Sequence, residues 1–353
     1  MSGRSPGVKL KDVAKAAGVS QGTASNVFSK PDVVREEVRE HVLAVAKQLG
    51  YAGPSLTGRL LRAGKVNSIG VATAEPLSYF FDDPWARAMM AAISACCDAR
   101  GAGIALVSAQ NKQRPAWNIG SALVDGFVLL CADEAEMLID MTQQRELPFV
   151  ALALDRGFEK VPAIAIDNRG GARKAAEHLL ALGHTRFAVI GLGDVTSTVD
   201  VGLRGLQSNP YSTVRDRADG YAGMLAGEAT VAGFDCDGSL GGVAEIMQAL
   251  FVGGQGPTAV LAMSDRVALF VMDWLQQRGI SVPGQVSVVG FDGVPEGAEA
   301  LPGLTTVQQP MEAIARRAVA AILDDQMPDG RETLGLNLVV RGSTAPPPKG
   351  KIR

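Results

Sequence analysis

Residues 10–29 read LKDVAKAAGVSQGTASNVFS, and the rest of the chain is best read outward from them. Leu10, Val13, Ala14 and Ala17 recur at helical spacing. Gly18 breaks the pattern, as suits a tight inter-helix turn that needs a positive φ. Val19 follows as a corner plug, and Ser20 can accept hydrogen bonds from the free N–H groups of a second helix. Ala24 and Val27 form that helix's inner face, and Ala14 is small where the two helices cross. The spacing predicts a helix-turn-helix. A helical hairpin inside a larger core would not leave the second helix with so short and polar an outer face, made of Gln21, Gly22, Ser25 and Asn26.

That face is suited to reading base edges. In the DNA major groove a Gln or Asn amide pairs bidentately with adenine, which singles out Gln21 and Asn26. Gly22 brings no side chain. It either allows close backbone approach to DNA or is a tolerated weak point costing about 1 kcal/mol against alanine. Ser20, Thr23 and Ser25 suit phosphates, which fix position rather than sequence. A third helix follows, with Val38, Val42, Val45, Ala46 and Leu49 on one face and Gly50 ending it. Residues 55–68, SLTGRLLRAGKVNS, then combine Arg59 and Arg62 with Leu60 and Leu61. They are either a linker or a short amphipathic helix that forms only on DNA.

The charge is divided in the same way. Residues 1–65 hold eleven Lys and Arg against five Asp and Glu, a net +6, while the remainder carries −9. A basic head on an acidic body implies that the head alone meets a polyanion. The composition, 47% hydrophobic and 20% charged, excludes a disordered chain, and 41 glycines among 353 residues exclude collagen. Apolar runs are too short to cross a membrane. Met1 to Lys11 lacks the apolar stretch of a secretory signal, so a cytoplasmic protein is expected. Cys96, Cys97, Cys131 and Cys236 have no zinc-ligand spacing and read as free thiols.

Beyond residue 65, strand-like runs alternate with helical stretches. The strands are predicted at 68–73, 104–108, 126–130, 149–154, 187–191, 258–263 and 286–291, and the helices near 85–100, 170–182, 242–251 and 266–278. This predicts parallel sheets covered on both faces, divided into two lobes. Ligands in such folds bind at the carboxyl ends of strands. Asp155, Asp292 and Ser264-Asp265 stand there, either facing a ligand or capping the next helix. Enzyme signatures are missing. Gly191-Leu192-Gly193 lacks the third glycine of a dinucleotide loop, and His41, His178 and His184 are scattered. No nucleophile finds a base, so neither catalysis nor a cofactor or metal is expected.

Further motifs then complete a pattern: VVREEVREHVLAVAKQLGY (33–51), DNRGGARKAAEHLLALGH (167–184), SDRVALFVMDWLQQRGISVPGQVSVVGFD (264–292), LTTVQQP (304–310) and LVVRGST (338–344). With the opening stretch, they resemble the lactose-repressor/galactose-repressor (LacI/GalR) family of bacterial transcription regulators over nearly the whole chain. The resemblance implies a helical helix-turn-helix headpiece (1–54), a hinge helix (55–65), and an α/β two-lobed effector domain like the type I periplasmic binding proteins (66–345). A short tail (346–353) would follow, with three chain crossings between the lobes.

It also implies roles. The base-reading positions fall on Gln21, Gly22 and Asn26. Leu61 falls on the hinge leucine that wedges into the minor groove, with Arg59 beside it. The wedge's mate comes from a second subunit, implying a homodimer on a near-palindromic double-stranded operator. The inter-lobe effector site falls on Arg217, Asp292 and Asp155, while Ser264-Asp265 departs from the family's Asn-Asp. Tyr79, Phe80 and Phe81, in EPLSYFFDDPW (75–85), either stack on a ligand there or pack the lobe. A carbohydrate is the family's default effector, with a purine or another metabolite as the alternative. A solute-binding protein and an enzyme with an accessory DNA-binding head are the competing classes.

Overall fold

The computed structural model describes residues 8–51, 53, 65–110, 115–130, 135–154, 158, 160–193, 196–252 and 256–349. The chain divides into two compact units, Met1–Val66 and Asn67–Arg353.

In the first unit α1 (Leu10–Ala16), α2 (Gln21–Ser29) and α3 (Glu36–Gln48) close on Val13, Ala14, Ala17, Ala24, Val27, Val42 and Ala46. A Schellman cap makes the turn after α1. Gly18 takes φ +64°, its N–H donates to the Lys15 carbonyl at 3.3 Å, and the Val19 N–H reaches Ala14 at 3.0 Å. That left-handed backbone costs an L side chain about 1–2 kcal/mol, hence the glycine. Ser20 Oγ then accepts the Thr23 N–H at 3.0 Å and starts α2. The same cap ends α3. Gly50 takes φ +69° and the Tyr51 N–H donates to Ala46 at 2.8 Å. This corrects the expected core. Leu49 is 39% exposed. The turned-back Tyr51 packs in its place, edge-on to Phe28 with ring centroids 5.6 Å apart.

The second unit holds two six-stranded sheets. Lobe 1 carries β1 (Ser68–Thr73), β2 (Gly103–Ser108), β3 (Gly126–Leu130), β4 (Phe149–Leu152), β5 (Ala163–Ile166) and β11 (Arg331–Leu334), in the order β11-β5-β4-β3-β1-β2. Lobe 2 carries β6 (Arg186–Ile190), β7 (Thr230–Phe234), β8 (Ala259–Ala262), β9 (Ser287–Asp292), β10 (Thr305–Gln308) and β12 (Asn337–Val339), in the order β12-β10-β9-β8-β6-β7. The ladders run parallel apart from β10–β12. The helices, in chain order, are α4 (Tyr79–Asp82), α5 (Pro84–Asp98), α6 (Pro115–Ser121), α7 (Ala135–Gln143), α8 (Asn168–Ala181), α9 (Gly202–Leu206), α10 (Ser212–Leu225), α11 (Leu240–Leu250), α12 (Asp265–Gln277), α13 (Pro295–Glu299) and α14 (Met311–Leu323). Both faces of both sheets are buried, which is why FVLL in β3 and AVLA in β8 are apolar without alternation. The chain crosses between lobes three times: after β5, after β10, and between β11 and β12.

Two histidines tie the C-terminal segment to lobe 2. The buried His184 ring meets Thr258 Oγ1 at 2.9 Å through Nδ1, and the Ala345 carbonyl at 2.9 Å through Nε2. His178 Nε2 lies 2.9 Å from Thr344 Oγ1. Burial holds both rings below the ordinary histidine pKa. The unfolded chain therefore binds protons that the folded chain resists. Their contribution to stability is present above about pH 6.5 and is lost as pH falls through the lower folded values. In thermal melts the unfolding temperature of His184→Gln should fall less between pH 7.5 and 5.5 than that of the parent. Equal falls would remove His184 from the acid sensitivity.

Candidate functional site

The second unit encloses a cavity of about 230 Å³ between its two sheets. Tyr79, Trp85 and Leu152 line it from lobe 1, Arg217, Ser264 and Asp292 from lobe 2. Its position at the carboxyl ends of β4, β8 and β9 is the one that crossover topology favours.

Arg217 is the centre of the arrangement. It projects from α10, which crosses α8 so closely that a Cβ on Gly220 would sit 2.4 Å from the Arg169 carbonyl. Arg217 is buried. Its Nε donates to Asn168 Oδ1 at 2.9 Å, Nη1 to the Met263 carbonyl, and Nη2 stands 3.8 Å from Asp292 Oδ1. The guanidinium carbon lies 3.6 Å from the centre of the Phe291 ring. Asp292 ends β9 with φ +130° and accepts Gln309 Nε2 at 2.8 Å. Gln309 Oε1 in turn accepts the Trp85 indole N–H at 3.1 Å. One polar chain thus runs from lobe 1 through the second crossing into lobe 2. Burial pushes the Asp292 carboxyl well above the usual range, and the Arg217 charge opposes it. Tyr221, one turn beyond Arg217, is fully buried with no hydrogen-bond partner for its hydroxyl among the described residues, and burial raises its pKa.

The expected site residues divide. Tyr79, Arg217, Ser264 and Asp292 meet at the cavity. Ser264 lines the cavity and also caps α12, its Oγ accepting the Val267 N–H at 3.2 Å. Phe81 does not belong. Its side chain is 62% exposed and off the cavity, because the short α4 turns Phe80 into the core instead. Asp265 is fully buried but does not line the cavity. Its Oδ2 accepts the Gly293 and Val294 N–H groups at 2.7 and 2.9 Å, and its Oδ1 accepts the Thr306 hydroxyl at 2.5 Å. It holds the turn behind Asp292. Asp155 lies outside the described residues, as do Arg59 and Leu61. Sequence reading missed Trp85, Asn168 and Gln309. All three stand in the quoted stretches EPLSYFFDDPW, DNRGGARKAAEHLLALGH and LTTVQQP, but nothing in those stretches singles them out as cavity residues.

In the first unit Gln21, Gly22 and Asn26 are exposed on α2, opposite the buried Ala24 and Val27. Thr23 and Ser25 are half-buried. The Thr23 hydroxyl is 2.9 Å from Ser20 Oγ, and the Ser25 carbonyl accepts the Ser29 hydroxyl at 2.8 Å. Nothing crowds Gly22: a Cβ there would meet only Ser20 Oγ, at 3.7 Å. Gly22→Ala should therefore leave the fold intact and stabilise α2 by up to about 1 kcal/mol. If binding to DNA weakens in the same variant, close backbone approach explains the glycine; unchanged binding would leave it a tolerated weak point.

Residues 9–53 match the profile of bacterial regulatory proteins, lacI family, and residues 176–344 that of a periplasmic binding protein-like domain. The HTH-type transcriptional regulator Rv3575c of Mycobacterium tuberculosis is 36% identical over 96% of this chain and 97% of its own. The chain belongs to the lacI family. It is a DNA-binding transcriptional regulator of that family. The HTH-type transcriptional repressor PurR of Vibrio cholerae is 28% identical over 89% of this lacI-family chain and 90% of its own. The solved complex of the regulator CelR with cellobiose is similar at 26% identity, with a TM-score of 0.65, over 95% of this chain and 99% of that one. No described helix is long and apolar enough to cross a membrane, and the described residues hold no cluster of metal-ligating side chains.

Proposed function

We infer that this lacI-family protein is a repressor whose hold on a near-palindromic operator is switched by a neutral, polyhydroxylated small molecule, a carbohydrate by default, bound at Arg217 and Asp292. The observation behind the ligand class is the cavity's charge, with Asp83, Asp216, Asp237 and Asp292 lining it against Arg217, Arg266 and Arg331. Arg217 faces Asp292, Arg266 faces Asp83 at 3.6 Å, and Arg331 donates to the Leu154 carbonyl at 2.7 Å. With its arginines so engaged, the cavity offers carboxylate acceptors to hydroxyl donors, and an anionic ligand would meet them unfavourably. A purine is the second reading, favoured by the aromatic faces of Tyr79 and Trp85 at the cavity wall.

The DNA half rests on the first unit. Gln21 and Asn26 read bases, Ser20, Thr23, Ser25 and Arg59 hold phosphates, and Leu61 of a hinge over 55–65 wedges the operator centre with its mate in a homodimer. The headpiece spans 1–54, the effector-binding and dimerisation domain 66–345, and 346–353 forms the tail. Ligand binding shifts a two-state equilibrium of the lobes, and with it the spacing of the paired hinges.

Thermal shifts of the full chain against sugars, polyols, nucleobases and nucleosides test the ligand. A compound at about a hundred times its Kd should stabilise the protein by roughly 2.7 kcal/mol. A nucleobase hit would favour the second reading, and stabilisation only by anionic metabolites would refute the charge argument. Fluorescence anisotropy tests the DNA half. Asn26→Ala should relax discrimination at one base pair by about 1–3 kcal/mol. Equal affinity of the parent for its upstream palindrome and for scrambled DNA would refute operator recognition.

A further inference from the structure

The two lobes also meet through four charged side chains at the mouth of the cleft. Asp83 and Arg87 stand four residues apart at the start of α5, and so share one helix face of lobe 1. Opposite them, lobe 2 presents Arg266 from α12 and Glu296 from α13. The charges alternate so that each lobe offers one acid and one base. Asp83 Oδ2 is 3.6 Å from Arg266 Nη1, and Arg87 Nη2 donates to Glu296 Oε1. Arg87 is held in place by its own lobe, its Nη1 donating to the Phe81 carbonyl at 2.6 Å. The second carboxylate oxygen of Glu296 is buried and has no partner among the described residues, so the Arg87 contact is what compensates that carboxylate. Arg87 and Glu296 lie outside the cavity lining, whereas Asp83 and Arg266 belong to it.

We propose that these two inter-lobe ion pairs form an electrostatic clasp that holds the lobes closed, so that closure depends on ionic strength even when the ligand is neutral. The inference rests on reading the cavity as the effector site, and it adds a control on that site's opening. Its physical basis is range. Opening the cleft separates charges that attract over a few ångströms, and salt screens partly exposed pairs, with a screening length of about 10 Å at 0.1 M and about 3 Å at 1 M. Arg87 and Glu296 are 46% and 37% exposed at their side chains, which leaves them open to that screening.

Trp85 reports on the cleft directly, since its indole N–H bridges to Gln309 at the second crossing. The test uses the full chain without ligand, with Trp117→Phe and Trp274→Phe leaving Trp85 as the fluorophore, and reads acrylamide quenching. Arg87→Glu or Glu296→Arg alone should raise the quenching constant about twofold at low salt. The exchanged pair, Arg87→Glu with Glu296→Arg, should return it to the parent value. Salt should act with opposite signs: 1 M NaCl raises quenching in the parent and in the exchanged pair, but lowers it in either single reversal, where screening relieves repulsion. Single reversals that quench like the parent would overturn the clasp, as would an exchange that fails to restore it or salt that acts with one sign throughout. The neutral variants Arg87→Gln and Glu296→Gln should give intermediate values and guard against a reversal that disturbs folding. Because no ligand enters the measurement, a negative result overturns the clasp and leaves the effector reading to the thermal-shift screen.

Discussion

Arg217→Ala should lower the stability of the chain by about 3–5 kcal/mol, the range found when one partner of a buried ion pair is removed. The substitution does more than delete a ligand contact. It strands the Asp292 carboxylate in a buried site with Gln309 as its remaining polar neighbour, and it leaves Asn168 Oδ1 and the Met263 carbonyl without their donor. It also takes the guanidinium away from the face of Phe291. Urea unfolding measures the loss directly. A shift below about 1 kcal/mol would mean that the site relaxes or admits water, and that the buried pair is not structural. Arg217→Lys should recover only part of the loss, because one ammonium cannot serve three acceptors set in a fork. Arg217→Met with Asp292→Leu should recover more, since replacing a buried ion pair by apolar groups of similar volume is often neutral. Arg217 is thus a poor single probe of ligand contact. Loss of ligand response in Arg217→Ala would report a loosened lobe as much as a missing hydrogen bond, and has to be read beside the stability of the same variant.

How far the site was legible in the sequence follows from the same chemistry. The helix-turn-helix was readable because its signals are local. A glycine, a corner valine and a capping serine within three residues, Gly18 to Ser20, leave one backbone solution, and the second Schellman turn shares with it the glycine, Gly50. Leu49 misled because helical periodicity continues through the last helical residue, whereas the chain had already turned back at Gly50 and brought Tyr51 to the core. In the body, long buried strands such as FVLL announced themselves. Four-residue strands divided: β4 and β8 are legible within longer apolar runs, whereas AIAI in β5 is half alanine and follows a proline, and RETL in β11 is half-exposed and polar at the sheet edge. The helices over Ser212–Leu225 and Met311–Leu323 were missed as well, and with them the scaffold that presents Arg217 and closes lobe 1. The position of an acidic residue after a strand is visible in a sequence, but the direction of its carboxylate is not. That is why Asp292 and Asp265 looked alike and behave differently.

Asp265→Ala separates the two. It should cost about 3–5 kcal/mol, because it leaves three donors at once, the half-buried Gly293 N–H and the buried Val294 N–H and Thr306 hydroxyl, each worth about 1–3 kcal/mol when buried and unsatisfied and together less than their sum if the turn relaxes. The carboxylate also sits at the first position of α12, where the helix dipole favours a negative charge. Asp265→Asn tests how much of the effect is charge. The amide oxygen can still accept from the two backbone N–H groups, and the Thr306 hydroxyl can rotate to accept from the amide nitrogen, so the cost should fall to about 1–2 kcal/mol. Burial holds the Asp265 carboxyl above its ordinary pKa, against the hydrogen bonds from Thr306, Val294 and Gly293 that favour its ionised form. The functional prediction follows from geometry. Asp292 occupies a left-handed backbone position directly before the turn that Asp265 holds, and a turn without its acceptor cannot keep the Asp292 carboxylate aimed at Arg217 and the cavity. Asp265→Ala should therefore abolish the thermal shift given by a ligand that stabilises the parent, although Asp265 itself is off the cavity, while Asp265→Asn should retain most of it. If the alanine variant folds and still responds to that ligand with parental affinity, Asp265 does not position Asp292, and the ligand's hold must lie on the Arg217 side of the cavity alone.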